Sequence, residues 1–206
     1  MKAKHLLVLA LVTGLVAGSM SIAEAGKKKK KLVPSTSTFF LRHESDDCSD
    51  DTTFTLSLTD GEDVDCQYLD NVAWPAFGFI PGAYVAQDGV PFKLDATKTV
   101  TGVVSIRSYA HPVGVGAGPA SVTVQLLGTV GEEEVTLGEW TTEYTATPGT
   151  IHTFEYEIEV DDALNKLVFS SLTANVMPDG TTVGLHGVIE HDEPPALINI
   201  PTLIKK

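Results

Sequence analysis

Apolar and polar residues alternate with a period of two along most of the chain beyond residue 36. The clearest run is residues 150–160, in which His152, Phe154, Tyr156, Ile158 and Val160 alternate with Thr153, Glu155, Glu157 and Glu159. Residues 99–107 set Val100, Val104 and Ile106 against Thr101, Ser105 and Arg107, and residues 120–129 set Val122, Val124 and Leu126 against Ser121, Thr123 and Gln125. Successive side chains of a strand point to opposite faces, so this spacing predicts strands with one buried and one wet face. The last two runs make a central pair of long strands, joined by a flexible segment containing Gly114, Gly116 and Gly118.

Further strands are predicted at 37–41, 53–58, 92–94, 134–140, 167–176, 182–189 and 196–200. Residues 74–84 are aromatic but broken by Pro75, Gly78, Pro81 and Gly82, which reads as an irregular strand or packed loop. Asp161 to Leu164 suits one helical turn and no more. About ten strands divided by Gly, Pro and Asp turns, without an amphipathic helix of normal length, predict an all-β fold. The expected architecture is a single antiparallel β-sandwich, jelly-roll-like, over residues 37–206.

The first 25 residues stand outside that pattern. Lys2 and Lys4 precede an apolar run from Leu6 to Val16, and Ala23-Glu24-Ala25 places small residues where a signal peptidase cuts. Residues 1–25 therefore read as a signal peptide and the product as secreted, extracellular and without a stable membrane span after cleavage. An uncleaved N-terminal anchor is the competing reading, because Lys27 to Lys31 follow at once and positive charge there opposes translocation. Residues 26–36 form a Lys-rich leader expected to be disordered.

Charge narrows the partners. From Leu32 onward the chain carries 7 basic and 26 acidic residues, a net of −19. Such a body repels nucleic acid and anionic membranes, and leaves cations, neutral ligands such as sugars, or plain solubility as its meaning.

Two cysteines, Cys48 and Cys66, are most simply one disulfide in an exported chain, worth roughly 3 kcal/mol of unfolded-state restriction. Without neighbouring His or further Cys they make no zinc site. The pair would draw together two acidic segments. Asp60, Glu62, Asp63 and Asp65 are the candidate Ca²⁺ ligands there, against the blander reading of a solvated surface, and no EF-hand loop is present. Trp74 and Tyr84, with Phe77 and Phe79 between them, are candidates for a sugar-stacking platform, although clustered aromatics are more often core. No other cofactor is expected.

The chemistry of catalysis leaves little trace. Gly114 to Gly118 join two strands and open no helix, so they lack what a phosphate loop uses. There is no Gly-x-Ser-x-Gly elbow and no His-Glu-x-x-His. His43, His111, His152, His186 and His191 are scattered. His152 is in register with a buried face, while His186 and the cluster Glu190-His191-Asp192-Glu193 offer either a metal or acid-base site or a polar turn before Pro194-Pro195.

The order of elements over residues 92–201, with a Gly-rich loop between long strands, then Thr153-Phe154-Glu155-Tyr156-Glu157-Ile158-Glu159 and Leu167-Val168-Phe169-Ser170-Ser171-Leu172-Thr173-Ala174, resembles jelly-roll accessory modules. Examples are carbohydrate-binding modules and the C-terminal β-domain of X-Pro peptidases. The resemblance implies a non-catalytic role. The expected function is an exported binding or interaction module for a glycan or protein. A small secreted hydrolase is the alternative, and a purely structural surface protein a third reading. The disulfide is open to direct test: thiol labelling of the denatured, unreduced protein should find no free thiol, and two labelled cysteines would refute the pairing.

Overall fold

A β-strand buries its side chains on one face only, so the long alternating runs need a second layer to lie against. The computed structural model describes residues 30–44, 53–59, 78–79, 82–110, 115–190 and 195–206. These form β1 (Leu32–Glu44), β2 (Thr53–Ser57), β3 (Gly78–Phe79), β4 (Gly82–Ala86), β5 (Phe92–Lys93), β6 (Val100–Ala110) and β7 (Gly118–Val130). They continue with β8 (Glu133–Ala146), β9 (Ile151–Ile158), β10 (Val168–Phe169), β11 (Ser171–Gly180), β12 (Leu185–Glu190) and β13 (Leu197–Lys205). One 3-10 turn, Asp162–Leu164, is capped by the Asp161 carboxylate, which accepts from Ala163 N at 2.8 Å. By contacts the chain divides after Lys30, and Lys31–Lys206 is one unit.

Eleven strands share one hydrogen-bonded sheet in the order β3-β12-β6-β13-β1-β2-β4-β11-β7-β8, with β9 on the other edge of β6. Phe39, Val104, Tyr156 and Ile198 from one part of this sheet meet Tyr84, Val124, Leu172 and Val176 from the other in a single buried cluster. The sheet is thus folded onto itself as an all-β sandwich. β5 and β10 pair separately, and their Phe92 and Phe169 stack at 5.4 Å against the same core.

Three features differ from the reading of the sequence. The long strands β6 and β7 are not neighbours: β6 pairs with β9, β12 and β13, whereas β7 pairs with β8 and β11. Alternation reports which face is buried but not which strand lies alongside. The sandwich is also not wholly antiparallel, since β2 pairs with β4, and β3 with β12, in parallel. The chain between β2 and β4 is long enough for the crossover that a parallel pair requires. Finally, β1 begins at Leu32, inside the expected leader, and runs through Pro34. Reciprocal bonds between Lys31 and Lys206 put Pro34 and its partner Leu203, three residues on, at a position where the strand nitrogens face away from each other, so the missing N–H costs that ladder nothing.

Two edge strands of the folded sheet, β8 and β9, follow each other in sequence but share no ladder. A register shift between Leu126 and Leu127 bulges β8, burying Leu137 and bringing Gly138 against Ile158 of β9. The outward positions of these strands carry Glu134, Glu139, Glu143, Glu155 and Glu157, all exposed. Gly102 of β6 lies opposite Tyr156, where a Cβ would collide with the phenol ring and sit 2.5 Å from the Leu197 carbonyl oxygen that the Tyr156 hydroxyl approaches at 3.4 Å. Gly102→Ala should therefore lower stability by about 1–3 kcal/mol in urea denaturation. A change within error would mean that Tyr156 can leave its place freely.

Candidate functional site

Of the residues singled out from the sequence, Cys48, Cys66, Asp60, Glu62, Asp63, Asp65, Trp74, His111 and His191 lie outside the described residues. His43 and His186 fall on β1 and β12. Tyr84 has a different place from that of a stacking platform: it is 0% exposed, in the core, with its ring edge-on to Phe54 at 5.0 Å. Gly82 packs beneath the same ring, which fills the space a side chain there would need. Among the described residues, no three of His, Cys, Asp and Glu are gathered as a metal site would need, and no helix is long and apolar enough to cross a membrane.

The structure instead assembles a polar cleft from residues far apart in sequence. Strands β1, β13 and β6 run side by side and set Thr38, Asn199 and Thr101 in one row on the outward face. Thr38 Oγ1 donates to Asn199 Oδ1 at 2.7 Å, and Asn199 Nδ2 donates to Thr101 Oγ1 at 3.3 Å, which fixes the amide's orientation. Beside this row the chain leaves β5 and turns at residues 95–99. The Asp95 amide donates to the Pro201 carbonyl at 3.0 Å, and the Lys98 amide donates back to the Asp95 carbonyl at 3.3 Å. The Thr97 amide and hydroxyl both donate to Asp95 Oδ1, at 3.3 and 2.6 Å, an Asx-type turn that holds the carboxylate still.

A cleft of about 380 Å³ opens between the turn and the row. Asp95 and Lys98 supply its charges, Thr36, Thr101 and Asn199 its neutral polar groups, and Pro34 and Pro201 its apolar surface. Asp95 is only 5% exposed, and among the described residues its side chain accepts hydrogen bonds at Oδ1 alone. The second oxygen is not among the buried unpartnered atoms and faces the cleft that Asp95 lines, where it is open to a donor from solvent or ligand. Sequence reading missed this site because its walls come from three segments and no single one carries a motif. The run Asp95-Ala96-Thr97-Lys98-Thr99, a turn-forming Asp followed by hydroxyls and an isolated Lys, was the one local sign of it.

A second polar locus lies at the seam between β8 and β9. Trp140 packs against Phe154 and Tyr156, with ring centroids 6.2 and 5.5 Å apart, and Tyr144 packs against His152 and Phe154 at 5.0 and 5.1 Å. His152 is on the inward side of β9, as its register predicts, but its Nε2 is buried without a hydrogen-bond partner. Ser108 Oγ and Tyr144 Oη share that condition. Burial pushes the Tyr144 phenol up to about 12, and the nearby Ser108 hydroxyl offsets part of the rise although the two oxygens make no well-formed hydrogen bond. Burial also raises Tyr156. On the outward side Arg107 Nε donates to Glu190, and that bond raises the guanidinium's already high pKa.

No model of a known protein family matches the chain, and no curated protein matches it significantly.

The raised phenols make stability depend on alkaline pH. A tyrosine whose folded pKa exceeds its unfolded value of about 10 keeps its proton in the folded state while the unfolded chain loses it. Its contribution is complete below pH 10 and is lost as pH rises toward 12. The full interval corresponds to about 2.7 kcal/mol, and solvent screening at the partly exposed ring reduces this to about 1 kcal/mol. Tyr144→Phe should flatten part of the decline in denaturation midpoint over that window. An unchanged slope would show that the phenol titrates in the folded protein as it does in water.

Proposed function

We propose that this chain is an exported, non-catalytic binding module whose cleft beside Asp95 takes a neutral polyhydroxylated ligand, most simply a glycan. The observation that supports this reading is the anchored Asp95 carboxylate, held at one oxygen by Thr97 and set among Lys98, Asn199 and Thr101. A carboxylate accepts from two neighbouring hydroxyls at once, an ammonium and an amide provide the complementary donors, and proline rings offer C–H surface to the apolar side of a sugar. The acidic body disfavours anionic polymers and so favours neutral sugars. Glycoside hydrolysis uses two carboxyl groups, and this cleft is built around one. In the same reading the N-terminal segment directs secretion, and the acidic stretch between Cys48 and Cys66 is where Ca²⁺ would stabilise the module.

The test is a screen of neutral oligosaccharides on a glycan array, followed by calorimetry on any ligand retained. Asp95→Asn keeps the Oδ1 acceptor for Thr97 but removes the charge and turns the second oxygen from an acceptor into an NH2 donor. It should weaken binding about tenfold or more, since a hydrogen bond to a charged group is worth about 1.5–3 kcal/mol. Glu134→Gln, on the exposed face of β8, should bind as the parent does. No retained glycan, or equal binding by Asp95→Asn, would reject the cleft as the site.

A further inference from the structure

We propose that Ser108, Tyr144 and His152 form a buried site for one water molecule, which joins β6, β8 and β9 where β8 and β9 have no backbone ladder between them. The three side chains come from three strands and meet on the inner side of the sandwich. His152 pairs with Ile106, two residues from Ser108 on the same face of β6. Tyr144 reaches them from β8, its ring 5.0 Å from the imidazole. Three polar atoms, Ser108 Oγ, Tyr144 Oη and His152 Nε2, are buried here with no hydrogen-bond partner. Nearly all buried polar atoms in proteins find a partner, and three such atoms, with Tyr144 beside both His152 and Ser108, point to a shared one.

The chemistry of the three atoms suits water. Each hydroxyl both donates and accepts, and a neutral imidazole nitrogen does one or the other according to its tautomer. A buried water typically makes about three hydrogen bonds to groups otherwise unsatisfied. The surroundings also hold the three groups in place. The Ser108 amide donates to the Thr150 carbonyl at 3.0 Å and its carbonyl accepts from the Gly149 amide at 2.8 Å, so its backbone is tied to the β8–β9 turn. Tyr144 is wedged between the main core and the small cluster of Ala120, Ala146 and Leu185. The rival arrangement is a direct chain, with Tyr144 donating to Ser108 and Ser108 donating to His152, which would satisfy all three without water.

A high-resolution crystal structure of the full chain distinguishes the two. The proposal expects a density peak within hydrogen-bonding reach of all three atoms. Direct Tyr144–Ser108–His152 contacts with no peak between them would overturn it. Relaxation dispersion of the solvent water provides a second reading in solution. The double variant Ser108→Ala with Tyr144→Phe should lose the contribution of one long-lived water relative to the parent, and an undiminished signal counts against the site. If the double variant does not fold, the single variant Tyr144→Phe and the parent's crystal structure still decide the matter.

Discussion

A sheet folded onto itself must close at both sides, and this one closes by two different means. At one side the backbone does it: β2 and β4 pair in parallel, Thr55 with Val85 and Leu56 with Ala86, so hydrogen bonds run continuously from one layer into the other. At the other side β8 and β9 meet without a ladder, and side chains take over. Trp140 and Tyr144 interleave with His152, Phe154 and Tyr156, while Gly138 lets the backbones approach at Ile158. Aromatic pairs in offset or edge-on geometry add about 0.5–1.5 kcal/mol beyond the area they bury. The bulge at Leu137, the absence of a side chain at Gly138 and the polar trio at the far end are all consequences of closing a seam with rings instead of amides.

The outer face obeys a different logic. Hydroxyls and amides there bond across strands in register: Thr123 with Thr141, Gln125 with Glu139, Asn175 with Gln125, Thr38 with Asn199, and Asn199 with Thr101. Rows of this kind orient side chains without burying them. The cleft is the place where one such row is met by a turn, and the Asp95 carboxylate is positioned by the turn's own hydrogen bonds rather than by the sheet. Rigid strands supply the floor, and a short connection supplies the charge.

Face assignment was legible in the sequence because it depends only on residue spacing. The inward set of β6, β7 and β9 falls where the alternation puts it, down to His152. Neighbour relations were not legible, because Val104 would alternate with Thr101 and Ser105 equally well beside any strand. Tyr84 shows a related limit: its composition fits a platform or a core, and only the opposing Phe54 and the bare backbone of Gly82 decide for the core. Asp95 was invisible for the opposite reason, since a single Asp in a turn is ordinary until the β13 strand, a hundred residues later, lies against it. The export signal, the cysteine pair and the acidic segment between them are local readings on which these strands do not bear.

The glutamates along β8 and β9 give the seam a second character. Two strand edges that lack a ladder between them are places where another chain's strand could add. Here each edge presents several exposed carboxylates, so two copies approaching edge to edge meet like charge before any amide can pair. The protection is electrostatic and therefore conditional. It reaches only about 8 Å at physiological ionic strength and shrinks to about 3 Å in molar salt. Colloidal stability of this fold is thus set at its weakest closure, and brine or acid would unmask there a stickiness between copies that the hydrophobic core itself never exposes.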